Sequence, residues 1–297
     1  MIHLVRPATV DDPTRPSGGN VYDRRVAAAL DLVEHTSVSS VPDGALVLVD
    51  GLVASPALLP ESSRVRVVVL VHSPRWEWWE GPVLQAAAGV ITTSRWTRER
   101  LVEAYGLPRV FVAEPGVDPA PVAHGSATGT SLLSVGAVTA LKGYDVLAAA
   151  LASLDDLAWT CRGVGSTAIE PEFAAGIEGV RLTGPMTRAE LDATYAEADL
   201  LVLASRAETY GMVVTEALAR GVPVVASDVG GVREALGDGG VLVPPGDTAA
   251  LAAALRRWLT DREHRADLRT AALARRTALA GWDRTASRVR EALEAVR

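Results

Sequence analysis

The sequence predicts an α/β protein with parallel sheets covered by helices, built as two successive halves. Short runs rich in valine and leucine lack polar alternation, as strands buried on both faces do. Helical apolar patterns separate these runs, and strand–helix units in series require a parallel sheet with helices on both faces. A stretch rich in proline, glycine and small residues, 115–130, separates the halves like a linker. With 297 residues, each half is long enough to bury its own core.

The first half begins with a strand, a polar proline-containing loop to Pro16, and the sequence SGGN at residues 17–20. A glycine pair before a helix, here Gly18 and Gly19, lets backbone amides approach an anion closely. The predicted strands are Ile2–Arg6, Ala45–Asp50, Val65–His72, Gly89–Ser94 and Val110–Ala113, with helices after Asn20 and over Trp96–Tyr105. The third strand ends in HSP, which places His72 at the carboxyl edge, where open α/β sheets bind their ligands.

The second half repeats the alternation more cleanly. Its predicted strands are Ser131–Val135, Ala158–Arg162, Val180–Thr183, Leu200–Ala204, Val222–Ala226 and Gly240–Val243. Its predicted helices are Tyr144–Leu154, Arg188–Ala198, Gly211–Arg220, Val232–Leu236 and Thr248–Leu259; the chain is helical from Arg262 onward, and Trp282 starts a final amphipathic helix. We therefore predict two Rossmann-like domains, 1–120 and 121–280, and a helix over 281–297 that can cross back onto the first domain. We expect the chemistry in a cleft between the domains.

The composition excludes several classes of function. A formal net charge of −7 and a pI of about 5.3 argue against broad nucleic-acid binding. No apolar run approaches the roughly 18–20 residues that span a bilayer, and the first residues lack the pattern of a signal peptide. The single cysteine, Cys161, cannot form an internal disulfide and fits a reducing compartment. We therefore expect a cytoplasmic protein.

The segment LLVLASRAETYGMVVTEALARGVPVVASDVGG carries two carboxylates, Glu208 and Glu216, around the start of a helix. A glycosidase pair needs carboxyl groups about 5–9.5 Å apart, whereas eight residues of continuous helix separate two side chains by roughly 12 Å. The two glutamates can also be an unrelated surface residue and helix residue. In a third interpretation their roles differ: Glu216 accepts hydrogen bonds from ribose hydroxyls, and Glu208 faces a transferred sugar.

Lys142 is the single lysine among 29 basic residues. Arginine bias explains the other 28, but this residue lies in GAVTALKGYDVLAAAL, between a predicted strand and a predicted helix. A compact ammonium group on a flexible stem reaches a phosphate as a point charge, where a planar guanidinium does not always fit. The context therefore favours a chemical requirement for lysine.

The loop RWEWWEG, residues 75–81, holds three of the seven tryptophans. They can cap a hydrophobic core, form a rigid aromatic wall for an acceptor, or contact a membrane interface. Because no Lys/Arg cluster accompanies them, charge does not support an anionic membrane surface.

These motifs resemble those of retaining glycosyltransferases of family 4 (glycosyl transferases group 1), which have the GT-B fold. The likeness covers nearly the whole chain and rests on motifs that fall in the family's order. They are SGGN, VHSP, TTSRWT, AEPGVD, VGAVTALKG, the E-x7-E pair, GVPVVASDVGGVREAL and VPPGD. The resemblance implies two Rossmann-like domains with parallel sheets that face each other across a cleft.

The resemblance also implies roles for matching residues. Lys142 matches a lysine on the donor's diphosphate, His72 a histidine near the transferred sugar, and Glu208 and Glu216 the sugar-facing and ribose-binding glutamates. The implied donor-binding positions further include Tyr210, Gly211, Met212, Val213, Gly18, Gly19 and Gly136, and the acceptor positions Asn20, Trp76 and Trp78. One position departs from the family pattern: Ala137 stands where a second phosphate-clamping arginine is common, and Arg162, Arg206 or an arginine of the first domain can replace it.

The implied reaction is retaining transfer of a sugar from a nucleoside-diphosphate sugar to a hydroxyl or amine of a small or lipid-linked acceptor. Because no DxD-type acidic cluster follows a strand, we expect neither a metal nor another cofactor. Three alternatives remain. One is a weak or inactive nucleotide-sugar-binding protein, which Ala137 suggests, and another is an inverting or epimerase-type enzyme with His72 or a nearby acid as base. The third is a peripheral membrane transferase that uses Trp76, Trp78 and Trp79.

Overall fold

The computed structural model describes residues 2–8 and 17–297. The predicted loop to Pro16 lies largely outside these residues. Contacts divide the chain into two compact units. Unit 1 comprises the described residues up to Gly116 together with Ala280–Arg297, and unit 2 comprises Val117–Leu279. The final helix is therefore part of unit 1.

Unit 1 is a parallel sheet with helices on both faces. Its strands in the main segment are β1 (Ile2–Val5), β2 (Val33–His35), β3 (Leu46–Asp50), β4 (Arg66–Val71), β5 (Gly89–Thr92) and β6 (Val110–Val112). Its helices there are α1 (Gly18–Leu30), α2 (Leu58–Glu61), α3 (Glu80–Ala86) and α4 (Arg95–Tyr105), with a 3-10 turn at Val38–Ser40. Within the described residues the strand order is β2-β1-β3-β4-β5-β6, so the order reverses between β1 and β3.

Unit 2 has the same architecture with a different strand order. Its strands are β7 (Ser131–Val135), β8 (Thr160–Val164), β9 (Arg181–Gly184), β10 (Leu200–Leu203), β11 (Val224–Ser227) and β12 (Gly240–Val243). Its helices are α5 (Tyr144–Ala152), α6 (Pro171–Ala175), α7 (Arg188–Ala196), α8 (Met212–Leu218), α9 (Val232–Leu236), α10 (Thr248–Thr260) and α11 (Arg262–Ala278). The order β12-β11-β10-β7-β8-β9 is that of the Rossmann fold, with its reversal between β7 and β10.

Each sheet separates two apolar layers, because successive side chains of a strand point to opposite faces. In unit 1 the layer that contains Leu4 and Leu48 is covered by α1 and by the last helix, α12 (Trp282–Glu294). Val289 and Leu293 of α12 are fully buried in this layer. In unit 2, α5 and α10 cover one face, where the Trp258 indole donates to Gly129 O at 2.9 Å. None of the described helices has the length and apolar character to span a membrane.

The predicted α/β class with parallel sheets is confirmed. Most predicted strands and helices begin and end within two residues of the observed ones. The differences are local. The glycine pair does not precede a helix: Gly18 and Gly19 are the first two residues of α1, and Ser17 is its N-cap. The short strand β2 and the helices α2, α3 and α6 were not predicted, because segments of three to seven residues carry little periodicity.

We predict that Leu293→Ala destabilises the protein by about 2–5 kcal/mol, because it leaves a cavity in the core of unit 1. Denaturant unfolding measures the change in free energy. Leu59→Ala is the matched control, since that side chain is 40% exposed. Equal losses for the two variants would show that α12 does not complete this core.

Candidate functional site

Lys142 and Glu208 form an ion pair at the strand-order reversal of unit 2. Lys142 lies in the loop after β7, and Glu208 lies in the loop after β10, the neighbouring strand. The Lys142 ammonium is 2.6 Å from Glu208 Oε1, and both side chains keep part of their surface exposed, 29% and 12%. Ser205 Oγ donates to the same carboxylate oxygen at 2.9 Å. In doubly wound sheets this reversal is where loops diverge and ligands bind.

The Lys142 loop is fixed by backbone contacts that require glycine next to the lysine. Gly143 has φ +69°, and a Cβ there would lie 2.0 Å from the carbonyl oxygen of Ala204. The Arg206 amide donates to Leu141 O at 2.8 Å, and its guanidinium makes a two-bond contact with Asp145. Arg206 therefore holds this loop in place.

A second glycine brings the loop after β11 against Glu208. Gly230 has φ +55°, and a Cβ at this position would lie 1.5 Å from the Glu208 carbonyl oxygen. The pair GG at 230–231 therefore lets two chain segments touch, which no other residue type permits. Three adjacent strands, β11, β10 and β7, thus contribute their carboxyl-end loops to one site.

Gly136 begins the loop that carries Lys142, and its neighbour Ala137 is partly exposed. The Gly136 carbonyl accepts a hydrogen bond from the Tyr144 hydroxyl at 3.2 Å. A Cβ at Gly136 would lie 3.9 Å from the aliphatic stem of Lys142. Of the arginines considered as substitutes for the clamp at Ala137, Arg206 pairs with Asp145 and Arg162 pairs with Glu197.

Glu216 lies in α8 and is held by side chains of α7. Arg188 donates to Glu216 Oε1 at 2.9 Å, and the Tyr195 hydroxyl donates to Oε2 at 3.1 Å. The Arg220 guanidinium donates to the Glu216 carbonyl oxygen at 2.7 Å and lies 4.7 Å from the centre of the Tyr195 ring. These contacts fix the carboxylate in one orientation.

The two side chains that donate to the Glu216 carboxylate both have raised pKa values. Burial, followed by the negative charge of Glu216, raises the pKa of Tyr195 well above its usual value. Burial by itself lowers the pKa of Arg188, but the charge and hydrogen bond of Glu216 outweigh it and the pKa is raised. Tyr195 and Arg188 therefore stay protonated, as hydrogen-bond donors.

The positions predicted to hold sugar or phosphate through backbone amides surround the start of α8. Tyr210 is buried, and Gly211 is the N-cap residue with φ +90°. Met212 and Val213 are partly exposed in the first turn. Glu208 lies before this helix rather than within it, so the two glutamates are not on one continuous helix.

Unit 1 holds a second constellation, around His72. The imidazole Nε2 is 2.8 Å from Asp23 Oδ1, and Tyr22 meets the ring edge-on at 5.1 Å between centroids. Asp50 is the last residue of β3, at the reversal between β1 and β3, and its Oδ1 accepts the Leu52 amide at 2.7 Å. One carboxylate oxygen of Asp23, one of Asp50 and one ring nitrogen of His72 lie within 4.8 Å of one another. Two carboxylates and an imidazole this close attract a proton or a cation.

Two pKa values in this group are shifted. Burial, then the charge of Asp23 and a hydrogen bond with it, raises the pKa of Asp50 to about 7. Burial by itself lowers the pKa of His72, but the hydrogen bond and charge of Asp23, with the charge of Asp50, raise it. His72 is therefore biased toward its charged form, and Asp50 toward its neutral form.

The predicted glycine and acceptor positions lie around the same edge of unit 1. A Cβ at Gly19 would be 3.2 Å from His72 Cδ2, so this glycine lets α1 approach the imidazole. Gly18 is exposed in the first turn of α1, whereas Asn20 is buried. The backbone N–H of Asn20 donates to Ser17 Oγ at 3.1 Å.

The tryptophan loop is held by one buried carboxylate. Glu80 accepts the amides of Arg75 and Trp76 at 2.8 and 2.9 Å, and the Tyr105 hydroxyl at 2.9 Å. Trp76 has φ +57°, which is costly for an aromatic residue, and remains 52% exposed. Trp78 is 83% exposed. A loop fixed in a strained conformation presents two aromatic rings to solvent.

Sequence reasoning did not find Asp23, Asp50, Arg188 or Tyr195. Asp50 carried a signal: it ends the apolar strand LVLVD, at the position where strands of an open sheet present ligand-facing groups. Arg188 and Tyr195 are seven residues apart, a spacing that puts both on one face of a helix, but nothing in the sequence indicated that this face meets Glu216.

Family models match both halves of the chain. Residues 129–261 match the model described as Glycosyl transferases group 1, and residues 46–121 match that described as Glycosyltransferase Family 4. The chain belongs to glycosyltransferase family 4. The predicted family is thereby confirmed.

Similar curated proteins include two D-inositol 3-phosphate glycosyltransferases. That of Kineococcus radiotolerans is 34% identical, over 70% of this chain and 57% of its own length. That of Thermobispora bispora is also 34% identical, over 71% of this chain and 57% of its own length. This family 4 chain thus covers less than two thirds of the length of either relative.

Solved structures share the fold of this family 4 chain across its length. Sucrose-phosphate synthase from Thermosynechococcus elongatus has a TM-score of 0.77 at 22% identity, covering 98% of this chain and 97% of its own. HepE of Anabaena, determined in complex with UDP and glucose, has a TM-score of 0.79 at 19% identity, with 99% of both chains covered. With the two six-stranded parallel sheets of the described residues, these likenesses confirm the GT-B fold.

We predict that Asp50→Asn flattens the pH dependence of stability in this family 4 chain. Because the folded-state pKa of Asp50 is raised from 3.8 to about 7, its contribution is fully present below about pH 4 and is lost as pH rises through 7. The asparagine cannot ionise, so we expect wild type to lose stability relative to the variant by on the order of 3 kcal/mol between pH 5 and pH 8.

Calorimetry at both pH values measures this difference. Asp31→Asn, at an exposed position at the end of α1, is the control and leaves the pH dependence unchanged. A variant that is equally destabilised at pH 5 and pH 8 would contradict the expectation, because the loss would then be one of packing.

Proposed function

We propose that this chain is a glycosyltransferase that moves a sugar from a nucleoside-diphosphate sugar to an acceptor hydroxyl or amine. The observation that carries the proposal is the Lys142–Glu208 pair at the β7/β10 reversal, with Gly143 and Gly230 fixing the loops on either side. Two supporting facts are the names of the similar curated proteins and the fold shared with HepE, whose structure was determined with UDP and glucose.

The chemical difficulty of such a transfer is the charge that builds up on the leaving diphosphate. Lys142 supplies a positive group, and Glu208 holds that group at a set position before substrate binds. A preorganised cation that faces developing negative charge lowers the barrier without reorganising in the transition state. Arg206 and Arg162 pair with Asp145 and Glu197. We assign the phosphate contact of unit 2 to Lys142 because it lies at the strand-order reversal.

Glu216 has the chemistry to hold the ribose of the donor. Its two carboxylate oxygens are oriented by Arg188 and Tyr195, and each oxygen has lone pairs left to accept a sugar hydroxyl. The side chain is partly exposed, so a ligand can reach it. Glu208, one loop away, then faces the transferred sugar.

We further propose that configuration is retained at the anomeric carbon. In this mechanism the acceptor attacks from the face that the diphosphate leaves, and the leaving phosphate takes the acceptor's proton. The protein then contributes electrostatic stabilisation and orientation rather than a covalent nucleophile. Neither a metal ion nor a cofactor is part of this proposal.

For the acceptor we propose a hydroxylated ring, with or without a phosphate, by analogy with the relatives named for D-inositol 3-phosphate. The proposed acceptor contacts in unit 1 are Asn20 and the exposed rings of Trp76 and Trp78, whereas His72 faces the transferred sugar. Aromatic faces bind the apolar faces of sugar-like rings, while imidazole and amide groups bind their hydroxyls.

A turnover assay tests the proposal directly. Nucleoside-diphosphate release from a panel of UDP, GDP, ADP and TDP sugars is measured with inositol and with D-inositol 3-phosphate as acceptors. We expect one donor to turn over and Lys142→Ala to lower kcat about 100- to 1,000-fold, because a transition-state contact is lost. Arg256→Ala, which removes an exposed cation paired with Asp156, is the control and keeps wild-type kcat.

The stereochemistry of the product is read by proton NMR on the anomeric signal. A product with the donor's anomeric configuration supports retention, whereas the opposite configuration means inversion and assigns His72 or a nearby acid as base. A chain that binds a nucleoside diphosphate but turns over no donor with either acceptor would contradict enzymatic function. That outcome would support the binding-protein alternative, which Ala137 favours because a clamping arginine is missing there.

A further inference from the structure

Each carboxylate beside His72 has one oxygen to which no N–H or O–H group of the described residues donates. Asp23 is fully buried and Asp50 is 1% exposed. Asp23 Oδ1 meets His72 Nε2 at 2.8 Å and Asp50 Oδ1 accepts the Leu52 amide, but Oδ2 of each accepts no hydrogen bond from any described residue. A buried carboxylate oxygen without a donor is costly, so one is expected to be protonated or to face a cation.

The groups that face one another here come from three elements. Asp23 and the neutral phenol Tyr22 lie on α1, Asp50 ends β3, and His72 follows β4. The Tyr22 hydroxyl is used elsewhere, since it donates to Ala113 O at 2.9 Å. With both carboxylates ionised and His72 neutral, the buried group would carry two negative charges. One proton on the imidazole and one between the carboxylates make it neutral.

We propose that Asp23 and Asp50 share one proton and together keep His72 as an imidazolium whose Nδ1–H donates to an oxygen of bound substrate. Asp23 and Asp50 are thus positioning residues that act through His72. The substrate contact rests on the proposed function, whereas the protonation state is a property of the free protein.

The arrangement determines what His72 can offer to a ligand. Because Nε2–H is taken by Asp23, Nδ1 is the remaining polar atom of the ring, and no described residue is hydrogen-bonded to it. A neutral ring with its proton on Nε2 shows a lone pair at Nδ1 and can only accept. An imidazolium shows N–H and donates to a sugar or phosphate oxygen.

A proton fits the contact better than a metal ion does. His72 Nε2 is already at hydrogen-bond distance from Asp23, so its N–H points at the carboxylate. A metal ion would need the Nε2 lone pair, with the ion placed between nitrogen and oxygen. The proton also needs no volume in a group that is almost entirely buried.

The test is NMR titration of protein labelled with 15N in its histidines, with the His72 signals assigned from His72→Gln. We expect His72 in wild type to titrate above the ordinary value of about 6.5. Asp23→Asn should lower this pKa by about one unit or more. Asp50→Asn mimics the protonated acid and should change it by less than half as much. Asp31→Asn, with the same change at an exposed position, leaves it unchanged.

Three outcomes would overturn the proposal. The first is a His72 pKa at or below 6.5 in wild type, a result that does not depend on whether any variant folds. Another is Asp23→Asn and Asp50→Asn lowering the pKa of His72 equally. The third is a stoichiometric divalent metal in purified wild type that a chelator removes and both variants lack, since a cation then takes the place of the proton.

Kinetics connect the cluster to catalysis. In the active enzyme we expect the alkaline limb of the kcat profile to move to lower pH in Asp23→Asn by the shift seen in the NMR titration. A merely structural role of Asp23 would lower kcat without moving the limb, and that result would overturn the substrate contact. If no donor turns over, the proposed function fails, while the titration still decides the protonation state.

Discussion

The reversal of strand order between β7 and β10 is the constraint on which the proposed donor site depends. At this point the neighbouring strands send their connections to opposite faces of the sheet, so the loops after them diverge. Lys142 and Glu208 come from these two loops and meet at 2.6 Å. A cation held by a carboxylate is placed where a diphosphate would need it.

Glycine makes this convergence sterically possible. Gly143 and Gly230 bring backbone within distances that a Cβ would forbid, on the two sides of the pair. Glycine has a similar steric role in unit 1, where Gly19 lets α1 approach His72. The carboxylate of Asp50 ends β3 at the β1/β3 reversal of this unit. The two units thus share a fold principle but present different chemistry, a cation in unit 2 and an acid–imidazole group in unit 1.

Periodicity and motif order were enough to predict the long strands and three residues of the proposed donor site. Apolar runs identified the long strands, and the E-x7-E spacing with a solitary lysine indicated Lys142, Glu208 and Glu216. Contacts between side chains distant in sequence were not predictable in this way. Arg188 is 28 residues from Glu216, and Asp23 is 49 residues from His72. Such pairs depend on which helix face meets which strand end, and periodicity does not determine that.

The most direct test of the central claim is a thermal-shift panel with UDP, GDP, ADP and TDP on wild type and Glu216→Gln. A ligand that binds only the native state at 100 times its Kd stabilises it by about 2.7 kcal/mol. We predict that one nucleoside diphosphate raises the Tm of wild type and that Glu216→Gln loses most of this shift while keeping its own Tm. Wild type that responds to none of the four, or a variant that responds equally, would contradict the assignment of a nucleotide site to these residues.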